Sequence, residues 1–261
     1  ILQLLVVSLG MIGLKFRYRP YIDFKNKSFR EVLRILPARS VDQGIDNINS
    51  IVETRFASQL SVGSVTNFEN ALVLYNAPVM LIGNAISTAA FPRLTMRLAQ
   101  GRVDLFRKEF LRVLRTMIWI ALPVVVVSFF ARGYLARIIF ARSNQEIATI
   151  FGFLCVAIFF RILYTMISRY FYAHKDTKTP LYVSLFIIFF NIVLSYNLSR
   201  PDAYGILGLA IAQSIVAATE VGILVIIMIK RDRKLFDREF LTSVAKSVAV
   251  TGFSALAAYI T

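Results

Sequence analysis

From Ala71 to Pro92 the chain runs through 22 positions without a formally charged residue, and from Leu181 to Leu198 it does so again over 18. A helix needs about 20 predominantly apolar residues to cross the hydrocarbon core of a bilayer, so runs of this kind constrain the fold more than any other feature. The same ruler finds spans at 1–14 (truncated), 35–60 (unusually polar), 68–92, 114–131, 147–170, 181–198, 205–229 and 241–261 (cut short). The pattern predicts an all-α fold, a polytopic transmembrane helix bundle with six complete spans and partial spans at either end. Composition agrees: 57% of the 261 residues are hydrophobic, against roughly 45–50% in ordinary soluble domains.

The charges are dealt out between the spans. There are 30 Lys and Arg against 15 Asp and Glu, a formal net charge of +15. Loops on one side (15–34, 93–115, 169–178 and 230–238) hold 22 of the basic residues, and those on the other side hold four. Cytoplasmic loops near span ends carry the excess Lys and Arg, which orients the bundle with the first set inside. Spread over four loops in this way, the charge gives no reason to expect a nucleic-acid partner. The stretches 24–36 and 103–114 mix Phe, Val and Leu with Lys and Arg, and are expected to lie as amphipathic helices on the anionic inner surface.

Several reaction classes drop out. One Cys and one His cannot build a structural zinc site or an internal disulfide. There is no phosphate-binding G-x-x-x-x-G-K-[ST], no H-E-x-x-H and no G-x-S-x-G, so no enzyme chemistry is expected. His174 sits in a basic loop, where solvation is the expected state. No cofactor is implied; transport would be driven by Na⁺ or H⁺, by the membrane potential or by the substrate's own gradient. Ile1–Leu14 lacks the flanks of a signal peptide. With no initiator Met and both ends inside apolar runs, the chain reads as part of a longer protein.

What remains are polar groups inside spans, which are costly in lipid and mark cavities or paired sites. At 100° per residue, Arg39, Asp42, Gln43, Asp46, Asn49, Ser50 and Glu53 fall within about 160° of one another on the 35–60 span. This face either joins an interhelical hydrogen-bond network or lines an aqueous cavity. In the second case Arg39 is available for an anion, with Asp46 or Glu53 able to take a proton or coordinate Na⁺. Further groups are Asn76, Asn84, Arg161, Asn191, Gln213, Glu220 and Lys246. Asn76, Asn84 and Gln213 are expected chiefly as glue between helices. Arg161 and Glu220 lie nearer span centres and require partners on neighbouring spans or elsewhere; a direct pairing of the two is one possibility. Pro78 removes a hydrogen bond within its span and is expected to kink it.

Phe171-Tyr172-Ala173-His174-Lys175-Asp176-Thr177-Lys178-Thr179-Pro180 closely resembles the F-Y-A-x-x-D-T-x-T-P loop of the MurJ/MviN lipid II flippases, of the multidrug/oligosaccharidyl-lipid/polysaccharide exporter superfamily. Phe56-Ala57-Ser58-Gln59-Leu60 with Gly63-Ser64-Val65 agrees in order, as do Pro78, Gly83, Ala85-Ile86-Ser87 and Phe91-Pro92-Arg93-Leu94. The resemblance runs over roughly 31–229. It implies a six-helix C-terminal lobe of a two-lobed flippase plus partial flanking spans. In that register, 1–14 is the end of an upstream span and 15–34 a basic amphipathic linker. The six-span lobe then occupies 35–229, a basic cytoplasmic loop 230–240 and the start of a further span 241–261.

By the same resemblance, the protein would turn an undecaprenyl-diphosphate-linked peptidoglycan precursor from the inner to the outer leaflet of the bacterial cytoplasmic membrane by alternating access. Arg39, Asn49, Asn76 and Arg161 are the candidate substrate-binding residues, and Asp46, Glu53 and Asn191 the candidate ion-coupling ones. Membrane lipids are expected partners, and cell-wall synthesis proteins further candidates. The sequence also departs from the family. Leu72, Val73 and Asn76 stand where many relatives carry an Asp-Arg pair and a later acidic residue, and Ser195 stands one turn after Asn191 in place of an Asp. Alternatives are an exporter of another lipid-linked oligosaccharide or of drugs, and a transport-inactive scaffold for wall proteins.

Overall fold

In the computed structural model of the chain, residues 29–30, 44, 47, 50–60, 63–140, 145–200 and 202–260 are described. The chain divides into two compact units, Ile1–Pro37 and Ala38–Thr261. In the first, Phe29 and Arg30 are helical. Everything below concerns the second unit, where the described residues form helices and turns without a strand.

Its elements in order are α1 (50–58), α2 (Ser64–Pro78), a π-helical segment Val79–Asn84, α3 (Ala85–Ala99), α4 (Val103–Phe130), α5 (Arg132–Phe140), α6 (Gln145–Ala173), α7 (Lys178–Leu198), α8 (Ile206–Arg231) and α9 (Arg238–Ile260). Among the described residues six helical stretches are long and apolar enough to cross a membrane: Ser64–Ala99, Val103–Phe130, Gln145–Ala173, Lys178–Leu198, Ile206–Arg231 and Arg238–Ala257. The expected spans from 68 onward therefore coincide with helices.

Pro78 does not break its helix. It cannot donate a backbone hydrogen bond, and its ring crowds the carbonyl four residues back, so the ladder changes register rather than stopping. The π-helical segment Val79–Asn84 follows directly, and α2 and α3 run on through it as one 36-residue stretch. Gly83 lies at this joint against α6, where a Cβ would come within 3.2 Å of Thr165.

The segment 103–114 corrects one expectation. It is not a separate surface helix but the first three turns of α4, continuous with the span. Phe106, Phe110, Leu111 and Leu114 are buried on one face, which anchors the segment in the core. Its charged face ties the ends of neighbouring helices together: Arg107 Nε donates to Asp232 at 2.7 Å and Arg115 Nη1 to Glu239 at 3.1 Å. His174 corrects another. Half-buried, it presents its ring to Phe106 at 5.1 Å and to Tyr170 at 4.5 Å, with Nδ1 2.8 Å from the Tyr170 carbonyl.

Helix α6 is the hub. It packs against α2, α3, α4, α5 and α8, with α7 on α8 and α9 on α4. Of its most apolar stretch 61% is buried, against 44% or less in the other spans, as a helix apolar on every side requires. Outward-facing Trp119, Phe186, Phe189 and Phe253 are exposed, the arrangement suited to lipid contact. At the turn before α8, Gly208 lies so close to the Leu198 carbonyl that no Cβ would fit.

The loop from α6 to α7 gives the Phe171–Pro180 motif a physical meaning. α6 ends in a Schellman arrangement: Asp176 N–H donates to the Phe171 carbonyl and Lys175 N–H to that of Tyr172, both at 3.0 Å. Lys175 takes the left-handed conformation this needs, φ 59°. Asp176 then accepts from Thr179 twice, from its N–H at 3.1 Å and its hydroxyl at 2.8 Å, capping α7. Arg231 at the end of α8 donates to the same carboxylate at 2.6 Å. Burial alone would raise the Asp176 pKa, but the Thr179 and Arg231 hydrogen bonds outweigh it and hold the carboxyl below the usual range.

Candidate functional site

Between the spans lies a cavity of about 360 Å³, lined from α1 by Ser50 and Glu53, from α2 by Tyr75 and Asn76, from α6 by Arg161, from α7 by Ser184 and Asn191, and from α8 by Gln213 and Glu220. Leu72 and the aliphatic side chains of α7 and α8 complete the wall. The polar residues of each helix share one face: Ser184 and Asn191 are seven apart, as are Gln213 and Glu220, and Ser195 follows Asn191 by four.

Two polar groupings meet in it. In the first, Asn191 Nδ2 donates to Glu53 Oε1 at 3.1 Å, and Ser195 Oγ donates to Asn191 Oδ1 at 3.1 Å. Gln213, its amide oriented by these surroundings, donates to Glu53 Oε1 at 2.8 Å and Oε2 at 3.3 Å. Tyr75 is hydrogen-bonded to Gln213 in turn. Glu53 is 5% exposed and Asn191 2%, so a carboxylate is kept inside the bundle by amide donors from α7 and α8, as a buried charge demands.

In the second grouping Arg161 Nη1 donates to Glu220 Oε2 at 3.3 Å, while Ser184 Oγ lies 3.5 Å from Glu220 Oε1. The guanidinium also sits over the Tyr164 ring, 4.8 Å from its centroid. The side chain of Arg161 is 32% exposed and that of Glu220 6%. The pairing of these two central charges, one of the possibilities open from sequence, is thus made.

Of the seven candidate residues, Asn76, Arg161, Glu53 and Asn191 line this one cavity. Arg39, Asp46 and Asn49 lie outside the described residues. Glu220 joins the site as the partner of Arg161. Gln213, expected as packing, is a direct partner of Glu53, and Ser184 and Tyr75 complete the wall. The seven-residue spacings on α7 and α8 were the signal that could have placed Ser184 and Gln213 there. The carboxylate and amide oxygens of Glu53, Asn191 and Gln213 are hard donors of the kind Na⁺ takes, yet both amide nitrogens now face the carboxylate, so a cation would have to turn them.

A watered pocket with one guanidinium and two carboxylates, enclosed by helices that otherwise face lipid, defines a lobe of a polytopic membrane transporter. The chain belongs to the Lipid II flippase MurJ family, whose family model matches residues 1–261. It is 25% identical over 264 residues to the probable lipid II flippase MurJ of Borreliella burgdorferi, covering 99% of this chain and 52% of the relative. The chain spans about half the length of the curated relatives it matches. Among solved structures, a lipid II flippase MurJ in an inward closed conformation superposes with TM-score 0.72 at 22% identity, covering 97% of this chain and 53% of that one. A multidrug resistance MATE family transporter of the MOP superfamily in an outward-facing conformation gives 0.71 at 13% identity, covering 88% and 53%. These likenesses show the shared fold. Family and helices together place the protein in the bacterial cytoplasmic membrane as a multi-pass protein.

Proposed function

We propose that the chain is the C-terminal lobe of a lipid II flippase, which moves an undecaprenyl-diphosphate-linked precursor from the inner to the outer leaflet by alternating access. The observation that carries this is Arg161 in the cavity, its guanidinium only partly covered by Glu220. A diphosphate crossing hydrocarbon requires cationic, preferably forked, donors, and its polyprenyl tail can stay in lipid. Arg161 takes the headgroup together with Asn76, and with Arg39 and Asn49 from the polar face of the 35–60 span. Glu53 and Asn191, with Asp46, form the ion-coupling group, and Na⁺ or H⁺ is the coupling ion. Undecaprenyl-diphosphate-linked precursor and membrane lipids are the partners, with cell-wall synthesis proteins as further ones.

Depletion of the full-length protein in its host traps lipid-linked precursor on the cytoplasmic leaflet on this reading. Unchanged exposure of precursor at the outer surface after depletion would overturn it.

A second reading keeps the fold and changes the cargo to a lipophilic cation. It is favoured by one observation, that the two carboxylates outnumber the guanidinium among the described lining residues. Uptake of such a cation by proteoliposomes of the full-length protein, without movement of a diphosphate lipid, would establish it.

A further inference from the structure

The charged residues among those described in the cavity wall are Arg161, Glu53 and Glu220, so an anion bound to Arg161 enters a site already rich in carboxylate. Arg161 meets Glu220 through one contact, at 3.3 Å, and a third of its side chain faces the cavity. A guanidinium has five N–H donors and binds phosphate oxygens in pairs. An entering diphosphate therefore competes with Glu220 for the same group, and has the better geometry.

The consequence falls on Glu220, which is 4% exposed. Once Arg161 turns away, three negative groups would share one cation: the anion, Glu53 and Glu220. A carboxylate so deeply buried is far cheaper to keep as its neutral acid than as an unpaired charge. We infer that Glu220 takes up one proton from cavity water whenever Arg161 passes from Glu220 to an anionic headgroup, so that anion binding and proton binding are a single linked event. The proton adds to a carboxylate oxygen, nothing in the cargo is made or broken, and the proton leaves when Arg161 returns.

The surroundings single out Glu220. Facing it among the described residues are Arg161 with Tyr164 beside it on α6, Ser184 on α7, Glu53 on α1 and Tyr75 on α2, the last within electrostatic reach of Arg161, Glu53 and Glu220 alike. Glu53 is held by the Asn191 and Gln213 amides, which do not leave when an anion arrives. Glu220 depends on the one cation that does.

This inference rests on the proposed headgroup role of Arg161, and the test separates the two. The full-length protein in nanodiscs is titrated with a short-chain polyprenyl-diphospho-sugar, whose diphosphate is esterified at both ends and stays fully ionised between about pH 5 and pH 8. Wild-type affinity is expected to rise on acidification, by up to about tenfold per pH unit. Glu220→Gln is expected to bind with no such slope, while Glu53→Gln keeps it. A slope that persists in Glu220→Gln, is missing from the wild type, or disappears only in Glu53→Gln overturns the inference while the headgroup role stands. Affinity unchanged in Arg161→Gln overturns both. Should Glu220→Gln fail to fold, an indicator dye in weakly buffered wild-type samples reads the same event. Uptake of about one proton per bound anion supports it, and none overturns it.

Discussion

Asn191 and Glu53 lie 138 positions apart in the chain and meet inside the bundle, the amide nitrogen donating to the carboxylate at 3.1 Å. Both are almost fully buried, 2% and 5% exposed. This contact closes α7 onto α1 across the cavity, and it converts an isolated intramembrane acid into a tolerated one.

Asn191→Ala should therefore destabilise more than a typical interhelical contact. Neutral hydrogen bonds between membrane helices average about 0.6 kcal/mol, but here the acceptor is a buried carboxylate, and removing its donor costs about 1–3 kcal/mol. Thermal unfolding of the detergent-solubilised protein measures it. In a double-mutant cycle with Glu53→Gln most of the loss should disappear, because the neutral amide no longer needs the donor; additivity would contradict the assignment.

Arg161→Gln leaves Glu220 buried without its cation. Breaking a fully buried pair costs about 3–5 kcal/mol; with Arg161 one-third exposed, solvent screening reduces the expected loss to about 2 kcal/mol. The double variant Arg161→Gln, Glu220→Gln should recover part of it, since two neutral amides can bond to one another. Unfolding temperatures of the three variants decide this, and a double variant less stable than Arg161→Gln would contradict it.

Gly208→Ala should be among the most disruptive single-methyl changes in the chain. The added carbon would collide with the backbone carbonyl of Leu198, which cannot swing aside as a side chain tip does. Overpacking costs about 1–3 kcal/mol. Gly222→Ala is the control, since nothing lies within 4 Å of its added carbon. That change, in the interior of α8, should be neutral or stabilising, by up to about 1 kcal/mol.

Asp176 supplies a pH test outside the spans. Its carboxyl is held below the ordinary range, so its contribution is fully present above the unfolded value, about 4, and is lost as pH falls through the lower folded value. Asp176→Asn should cost about 1 kcal/mol at neutral pH through the lost cap. The stability gap between wild type and variant should then shrink only below about pH 4. A gap unchanged into strong acid would show that the charge contributes nothing.

The spans were legible because charge-free runs of this length have one physical home. Less was legible where a helix continues past its apolar part: the basic turns of α4 look like a surface helix until Phe106 and Phe110 are seen packed against Tyr170. The nine-residue α5 read as loop because Arg132, Gly133 and Arg137 interrupt it. At the site, Glu53, Arg161 and Glu220 were visible as charges stranded in lipid-length segments, and Asn191 stood out by its match to the family. Gln213 was not, since a lone amide in a span is ordinary and its value comes from facing Glu53. Which stranded groups meet depends on how helices rotate against each other, and one sequence carries no record of that.

The uninterrupted stretch Ser64–Ala99 has a mechanical consequence. Thirty-six helical residues measure about 54 Å at 1.5 Å each, against a hydrocarbon core of about 30 Å, so the rod overshoots the membrane. Its π-helical joint sits near the midpoint, with about 27 Å of arm on either side. A bend of about ten degrees there sweeps each tip through about 5 Å, roughly one helical turn. Pro78 thus supplies a fulcrum, through which a small change beside Asn76 in the cavity becomes a large one at the membrane surface.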